Sequence, residues 1–182
     1  MADQEFIDLR RLVYISLFTA FIIVGGYLSI PLPLSPVPIV LADFFVLLAG
    51  LLLGGRGGAA SVGLLILFSL IGLPVLAGGG TGIGAYLGPT GGFIFGYLVC
   101  AFVVGLISNK GKPKMIKDLI ALVVGNLFLY TLGVSWLKYS VKLTWEEAIA
   151  FGALPFLAGM VIKIIVAVIL GNMLRPRMSR FR

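Results

Sequence analysis

The chain has 182 residues, of which 60% are hydrophobic and only 12% are charged, and its mean hydropathy is +1.14. Soluble domains carry about one quarter charged residues, so this composition indicates an integral membrane protein and excludes an ordinary soluble domain. A single cysteine and the absence of histidine exclude a disulfide framework within one chain and a multi-cysteine or histidine-based metal site.

The hydrophobic runs, cut at charges and turns, predict an all-α protein with six membrane spans of about 17–25 residues, the length that crosses about 30 Å of hydrocarbon. The approximate spans are 12–30, 38–54, 58–76, 91–108, 117–137 and 151–173, and together they form a single membrane domain over residues 1–182. The polar residues 1–11 lead into a full-length span without a small-residue cleavage site, so we expect a retained tail and no signal peptide.

The net charge of +7 is distributed unevenly along these spans. One side of the six-span arrangement receives Arg10, Arg11, Arg56, Lys110, Lys112, Lys114, Lys117, Arg175, Arg177, Arg180 and Arg182, and the other side receives only Lys138 and Lys142. The positive-inside rule then predicts that both termini are cytoplasmic. We interpret these charges as orientation signals with secondary contact to anionic lipid, and we expect no binding to nucleic acid.

The first span carries two small residues, Ser16 and Ala20, four positions apart. Small residues at this spacing allow another helix to approach closely, either inside the same bundle or from a partner subunit. After this span, the four prolines within residues 31–38 predict an extended outer segment, because proline fixes φ and removes a hydrogen-bond donor. The second span then contains Asp43, which is either a functional group or a carboxylate that reaches interfacial water.

Residues 76–97, LAGGGTGIGAYLGPTGGFIFGY, form a glycine-dense segment without charges between two hydrophobic runs. A solvated linker rarely has this composition. We predict irregular, partly re-entrant backbone at the outer margin of the membrane, where such backbone is tolerated only if it is buried in protein or lines a cavity. Glycine allows bare backbone groups to approach a ligand, so this segment is interpreted as a binding loop that caps a pocket.

The later spans contain three further signals. Gly92 and Gly96 form a GxxxG pattern, interpreted as helix packing. Asn126 lies in the fifth span and needs partners for its amide, either on other helices or on a polar ligand. Lys163 lies midway along the sixth span, where an ammonium faces the bundle interior and needs an anionic partner. Asp43 is the only acidic residue assigned to a span, so Lys163 either pairs with Asp43 or awaits a charged ligand.

The chain lacks the motifs of several enzyme classes. The P-loop GxxxxGK[ST], the metalloprotease HExxH and the GxSxG nucleophile elbow are all absent from the sequence. We therefore assign no catalytic residue, cofactor or metal, and we expect no enzyme activity. A membrane-embedded enzyme and a structural subunit of a larger complex stay open as alternatives.

Four segments resemble, in order and spacing, the BioY family, the biotin-binding S components of energy-coupling-factor (ECF) vitamin transporters. They are IPLPLSPVPIVLADFFVLLAGLLLG, GLPVLAGG, LGPTGGFIFGY, and LPFLAG followed by Lys163, and the resemblance extends from about Leu12 to Met173. It implies a six-helix, multi-pass protein of the cell membrane that captures biotin from outside. It also implies work with a transmembrane T subunit and two cytosolic ATPases, with Ser16 and Ala20 similar to the family's T-subunit contact.

The sequence departs from the family at three places, and one of them is Asp43, where BioY proteins commonly carry an uncharged polar residue or its neighbour. The family's last-helix motif usually reads PGD with the lysine three residues later, whereas this chain has Ala158, Gly159 and Met160 before Lys163. The acidic ligand contact is therefore missing, and Asp43 is a candidate to replace it from another helix. In the family's AGGxGG loop, the position that is often polar or basic is Gly80 here.

Biotin needs apolar walls, polar partners for its ureido group and one cation for its carboxylate. The expected walls are Phe44, Tyr86, Phe93 and Tyr97, the expected hydrogen-bonding groups are Asp43, Thr90, Asn126 and the loop residues Gly79, Gly80 and Thr81, and the cation is Lys163. A related acid such as lipoate is the alternative ligand. It lacks a ureido group and would leave buried polar groups unpaired, at about 1–3 kcal/mol each.

Overall fold

The computed structural model describes residues 2–33, 35–108 and 114–178. These residues form a mostly helical bundle with one short β-hairpin at one end. The helices are α1 (Ala2–Tyr27), α2 (Ala42–Leu70), α3 (Gly82–Leu87), α4 (Gly91–Ile107), α5 (Met115–Val141), α6 (Trp145–Gly152) and α7 (Leu157–Met178). The strands are β1 (Ser29–Leu32) and β2 (Ser35–Val40), and 3₁₀ turns cover Ala77–Gly79 and Leu154–Phe156.

Helix α2 reverses direction at Gly54, whose backbone is left-handed with φ at +76°. Beyond this point the chain folds back, because a Cβ built on Gly58 would lie only 2.8 Å from the Cα of Gly50. Glycine at these positions permits both the sharp turn and the close approach of the two halves. The two halves correspond to the predicted spans 38–54 and 58–76.

Four helical stretches of the described residues are long and apolar enough to cross a membrane: Leu9–Tyr27, Ala42–Leu70, Met115–Val141 and Trp145–Pro176. Gly91–Ile107 is a shorter apolar helix. This pattern is that of a multi-pass membrane protein. The count of six spans and the cytoplasmic position of both termini stay predictions.

The proline-rich segment is extended, as predicted, but it is also paired. Strands β1 and β2 are antiparallel, with Ser29 opposite Val40 and Ile30 opposite Ile39. The fold is therefore not purely α-helical, and the second span begins at Ala42 and not at residue 38. Proline lacks an N–H for a sheet ladder but is compatible with the edges of a two-stranded hairpin.

Two other span limits differ from prediction for local reasons. The third span was expected to reach residue 76, but α2 ends at Leu70, before Gly72 with φ at +96° and Pro74. The sixth span was expected to begin at residue 151. A 3₁₀ turn containing Pro155 separates α6 from α7, so the long helix begins at Leu157.

The glycine-dense segment 76–97 is more regular than expected. It contains the 3₁₀ turn, the short helix α3 and the first turns of α4. Its irregular points are glycines with positive φ, namely Gly78 (63°), Gly79 (82°) and Gly82 (72°). The segment is thus a chain of short turns, held in place where only glycine adopts the backbone conformation without strain.

Helix α4 packs closely against α5 through its glycine face. A Cβ on Gly92 would lie 2.6 Å from the carbonyl oxygen of Leu132, and a Cβ on Gly96 would lie 2.8 Å from Leu129 Cδ1. The interpretation of the GxxxG pattern as helix packing is confirmed. On α7, the buried Ala167 and Gly171 face the bundle, and a Cβ on Gly171 would collide with Leu51.

Asp118 and Arg175 form a buried ion pair that the sequence analysis missed. Arg175 Nη2 donates to Asp118 Oδ1 at 2.9 Å, and the two side chains are 1% and 0% exposed. The assignment of Asp43 as the only acidic residue within a span was therefore wrong.

The remaining basic residues of that side are exposed wherever the structure describes them, at Arg10, Arg11, Arg56, Lys114 and Lys117. Lys110, Lys112, Arg180, Arg182 and the side chain of Arg177 lie outside the described residues.

Candidate functional site

A cavity of about 220 Å³ lies where α1, the β-hairpin, α2, the glycine-dense segment, α4, α5 and α7 meet. Its lining is mostly glycine, proline and apolar side chains. Five polar side chains interrupt this surface: Asp43, Thr90, Tyr97, Tyr130 and Lys163. A mostly apolar cavity with a few convergent polar groups is the usual form of a small-molecule site.

Asp43 and Lys163 pair with each other in the wall of this cavity. Lys163 Nζ donates to Asp43 Oδ1 at 2.8 Å, to Asp43 Oδ2 at 2.9 Å and to the carbonyl oxygen of Val40 at 2.7 Å. The Lys163 side chain is 14% exposed and the Asp43 side chain is 9% exposed. The end of β2 supplies the Val40 carbonyl, the first turn of α2 supplies Asp43, and α7 brings Lys163 to both. The sequence left open whether Lys163 pairs with Asp43 or awaits a charged ligand. In the structure, the two side chains pair.

An aromatic wall forms the adjoining side of the cavity. The rings of Phe93 and Tyr130 meet edge to face with centroids 6.4 Å apart, and Tyr130 packs on Phe156 at the same distance. Tyr97 and Thr90 also line the cavity, and Thr90 Oγ1 donates to the Ala85 carbonyl at 3.4 Å. The predicted site residues that the structure brings together are thus Asp43, Gly80, Thr90, Phe93, Tyr97 and Lys163.

Tyr86 and Thr81 were predicted as binding residues but do not line the cavity. The Tyr86 hydroxyl forms a hydrogen bond with the Ser69 hydroxyl, and it donates to the Ile66 carbonyl at 3.3 Å. The buried phenol therefore links α3 to the end of α2. Thr81 Oγ1 donates to the Ser69 carbonyl at 3.2 Å. Both side chains support the segment that caps the cavity and do not face the space inside it.

Phe44, Asn126 and Gly79 also lie outside the lining. Phe44 packs edge to face on Phe45, next in sequence. Asn126 is 2% exposed, and its Nδ2 donates to the Leu122 carbonyl of its own helix at 2.9 Å. Its Oδ1 has no hydrogen-bond partner in the part of the chain that the structure describes. Asn126 and Tyr130 share a face of α5 by their i, i+4 spacing, but only Tyr130 lines the cavity.

Ser16 and Ala20 are exposed on α1. Thr19, between them in sequence, is buried, and its hydroxyl lies 2.9 Å from the carbonyl oxygens of Ile15 and Ser61. The two small residues therefore do not pack within this chain's own bundle, which was one of the two interpretations. Their outward position is compatible with a partner helix or with lipid.

The sequence analysis missed several lining residues. Tyr130 was not among the predicted site residues, but its ring packs against both Phe93 and Phe156. Val37, Pro38 and Val40 enter from β2. The available signals were the i, i+4 spacing of Asn126 and Tyr130 and the alternation of side chains along an extended segment. Within the described residues, no cluster of three or more His, Cys, Asp or Glu could hold a metal ion.

Comparison with known proteins gives a consistent match over nearly the whole chain. The sequence model of the BioY family matches residues 1–180. The biotin transporter BioY of Thermotoga maritima is 38% identical over 167 residues, which cover 92% of this chain and 96% of the relative. The biotin transporter BioY of Rhizobium etli is 38% identical over 90% of this chain and 91% of its own length.

A solved structure matches the fold as well. The crystal structure of the S-component for biotin from an ECF-type ABC transporter superposes with a TM-score of 0.87 at 34% identity. The match covers 97% of this chain and 94% of that one. The sequence resemblance is confirmed at the level of both family and fold.

Proposed function

The chain belongs to the BioY family, and we propose that it is the biotin-binding S component of an ECF-type importer. It captures biotin from outside the cell membrane and delivers it inward together with a transmembrane T subunit and two cytosolic ATPases. The observation that carries this proposal is the similarity over 97% of the chain to an S-component for biotin. The chain is a transporter component and not an enzyme, because its family and curated relatives are transporters.

The chemistry of the cavity supports biotin as the ligand. Biotin has an apolar thiophane ring and valeryl chain, which suit walls such as Phe93, Ile94 and Phe156. Burial of apolar area stabilises the complex by about 25 cal/mol per Å². Polar groups of the lining supply donors and acceptors for the ureido group, namely those of Asp43, Thr90, Tyr97 and Tyr130. Such groups fix the orientation of a ligand in an apolar site.

Lipoate is the alternative ligand from the same chemical class. It has a carboxylate and an apolar ring and chain, so the same walls accommodate it. It has no ureido group, however, and would leave polar lining groups such as Tyr97 and Tyr130 without a ligand partner. Each buried group left unpaired costs about 1–3 kcal/mol, which favours biotin.

The outward face of α1 supports docking to a T subunit. Ser16 and Ala20 are exposed and lie one helical turn apart, so a second helix could approach the α1 backbone closely there. The exposed basic residues Arg10, Arg56 and Lys117 fit an inner, cytoplasmic end of the bundle by the positive-inside rule.

Thermal unfolding of the detergent-purified protein tests the proposal. A ligand that binds only the folded state raises stability by about 2.7 kcal/mol at one hundred times its Kd. We expect a concentration-dependent rise in Tm with biotin, a smaller rise with lipoate and none with thiamine or riboflavin. The Lys142→Met variant, changed at an exposed lysine, serves as the charge control and should respond as the unsubstituted protein does. A rise with thiamine or riboflavin and none with biotin would contradict the proposal.

A further inference from the structure

A basic and aromatic surface lies where α5 ends and α6 begins. The Lys138 ammonium lies 5.2 Å from the centroid of the Tyr139 ring and 5.1 Å from that of the Trp145 ring. Tyr139 is 75% exposed and Trp145 is 53% exposed. Ile149, one turn after Trp145 on α6, is also exposed. These four residues form the Lys138 surface.

Helix α6 turns its apolar residues away from the protein at this surface. Its buried residues are Ala148 and Gly152, and a Cβ on Gly152 would lie 2.9 Å from Leu137 Cδ2. Trp145 and Ile149 lie on the exposed side. With eight residues, α6 is about 12 Å long, too short to cross a bilayer. An apolar, exposed helix side of this length fits the boundary of a membrane and not its interior.

The spacing of two lysines along α5 places the surface at the level of the lipid head groups. Lys117 lies in the first turn of α5 and Lys138 in its last turn, 21 residues apart, which is about 32 Å along the helix. The hydrocarbon of a bilayer is about 30 Å thick. The only other charged residue between them is Asp118, which is buried and paired with Arg175. When this stretch fills the hydrocarbon, each lysine reaches a head-group layer.

The Lys138 ammonium has no anionic partner in the part of the chain that the structure describes. The two ion pairs there involve other lysine and arginine residues. The Glu147 carboxylate accepts from the N–H and the hydroxyl of Thr144, at 2.8 and 2.9 Å, and so caps α6. Lysine binds phosphate as a point charge, and tryptophan and tyrosine are enriched at the level of the head groups. A phospholipid supplies the phosphate and the apolar chain that this surface fits.

We propose that the Lys138 surface binds the head group of a phospholipid. The ammonium pairs with the lipid phosphate, the rings of Tyr139 and Trp145 lie beside it, and Ile149 contacts the first carbons of an acyl chain. Helix α6 leads into the 3₁₀ turn that carries Phe156 of the cavity lining. The lipid contact therefore holds one wall of the cavity at the membrane boundary. The proposal does not depend on which ligand the cavity binds.

Quenching of Trp145 fluorescence by brominated phospholipids tests the position of the surface. The chain has two tryptophans, so Trp136→Phe leaves Trp145 as the only reporter. In bilayers, we expect a larger loss of fluorescence from bromine near the head-group end of the acyl chains than from bromine near their methyl ends. The opposite order, or no quenching by either lipid, would overturn the proposal. If Trp136→Phe does not fold, the difference between the unsubstituted protein and Trp145→Phe gives the same readout.

Titration of brominated phosphatidylglycerol into the detergent-solubilised reporter tests the head-group contact. Lys138→Met should raise the lipid concentration for half-maximal quenching by about fivefold, the contribution of one lysine near a lipid surface. The matched control, Lys142→Met, removes the same charge from an exposed lysine that contacts no ring among the described residues, and should shift it by less than about twofold. Equal shifts in both variants would overturn the proposal, because they indicate unspecific attraction. Loss of quenching on addition of soluble glycerol phosphate would overturn it in favour of a site for free phosphate.

Discussion

Replacing either member of the Asp118–Arg175 pair should destabilise the protein far more than replacing a surface charge. The pair joins the first turn of α5 to the last turns of α7. Along α7, Arg175 lies about 18 Å from Lys163, at a rise of 1.5 Å per residue. Arg175 also lies 3.3 Å from the Leu51 carbonyl, so its guanidinium contacts α2 as well. Both side chains are fully buried.

The expected magnitude follows from this burial. Removing one partner of a buried ion pair leaves an uncompensated charge and costs about 3–5 kcal/mol. The cost should lie at the upper end here, because Arg175 Nε and Nη1 and Asp118 Oδ2 have no other partner in the described part of the chain. At about 2–4 °C per kcal/mol for a chain of this size, Asp118→Asn or Arg175→Met should lower Tm by about 6–20 °C.

The double variant Asp118→Leu/Arg175→Met makes the test sharper. Replacing a buried pair by apolar residues of similar size is often neutral or stabilising, so the double variant should be more stable than either single one. Thermal unfolding in detergent measures all three, with Lys117→Met and Glu146→Gln as exposed controls. Single variants no less stable than these controls, or a double variant that loses the sum of both single effects, would refute the reasoning.

Two further predictions concern helix packing and partner docking. Gly92→Ala should destabilise the fold by about 1–3 kcal/mol, because its Cβ would overlap α5, whereas Gly63→Ala meets no atom within 4 Å and should be neutral or slightly stabilising in the same unfolding assay. Equal effects at both glycines would contradict the packing. Replacing Ser16 and Ala20 with Leu should abolish ATP-coupled uptake in vesicles while biotin affinity in detergent changes little. Parallel loss of uptake and affinity would exclude a docking role.

Much of the fold could be predicted because membrane spans are long, apolar and poor in charge. The proline-rich segment was also predictable as extended backbone, since proline restricts φ wherever it occurs. The limits of α2 and α7 could not be predicted, because they depend on single residues such as Gly72 and Pro155 within otherwise apolar runs. The pairing of β1 with β2 depends on backbone contacts that composition does not specify.

The candidate site was predictable where it depended on charge. Asp43 and Lys163 are conspicuous in apolar runs, and the structure brings them together in the cavity wall. The aromatic residues were harder to assign, because the glycine-dense segment has no regular period that would distinguish Tyr86, which anchors α3, from Tyr97, which lines the cavity. Asp118 was missed because it lies next to a lysine-rich loop and so resembles a surface charge.

Calorimetric titration of the purified, unsubstituted protein with biotin is the most direct test of the central claim. We predict saturable binding of one biotin per chain, with lipoate weaker by about tenfold or more because it lacks the ureido group that would bond to the polar lining residues. The absence of saturable biotin binding, or tighter binding of lipoate than of biotin, would contradict the assignment of this chain as a biotin-binding S component.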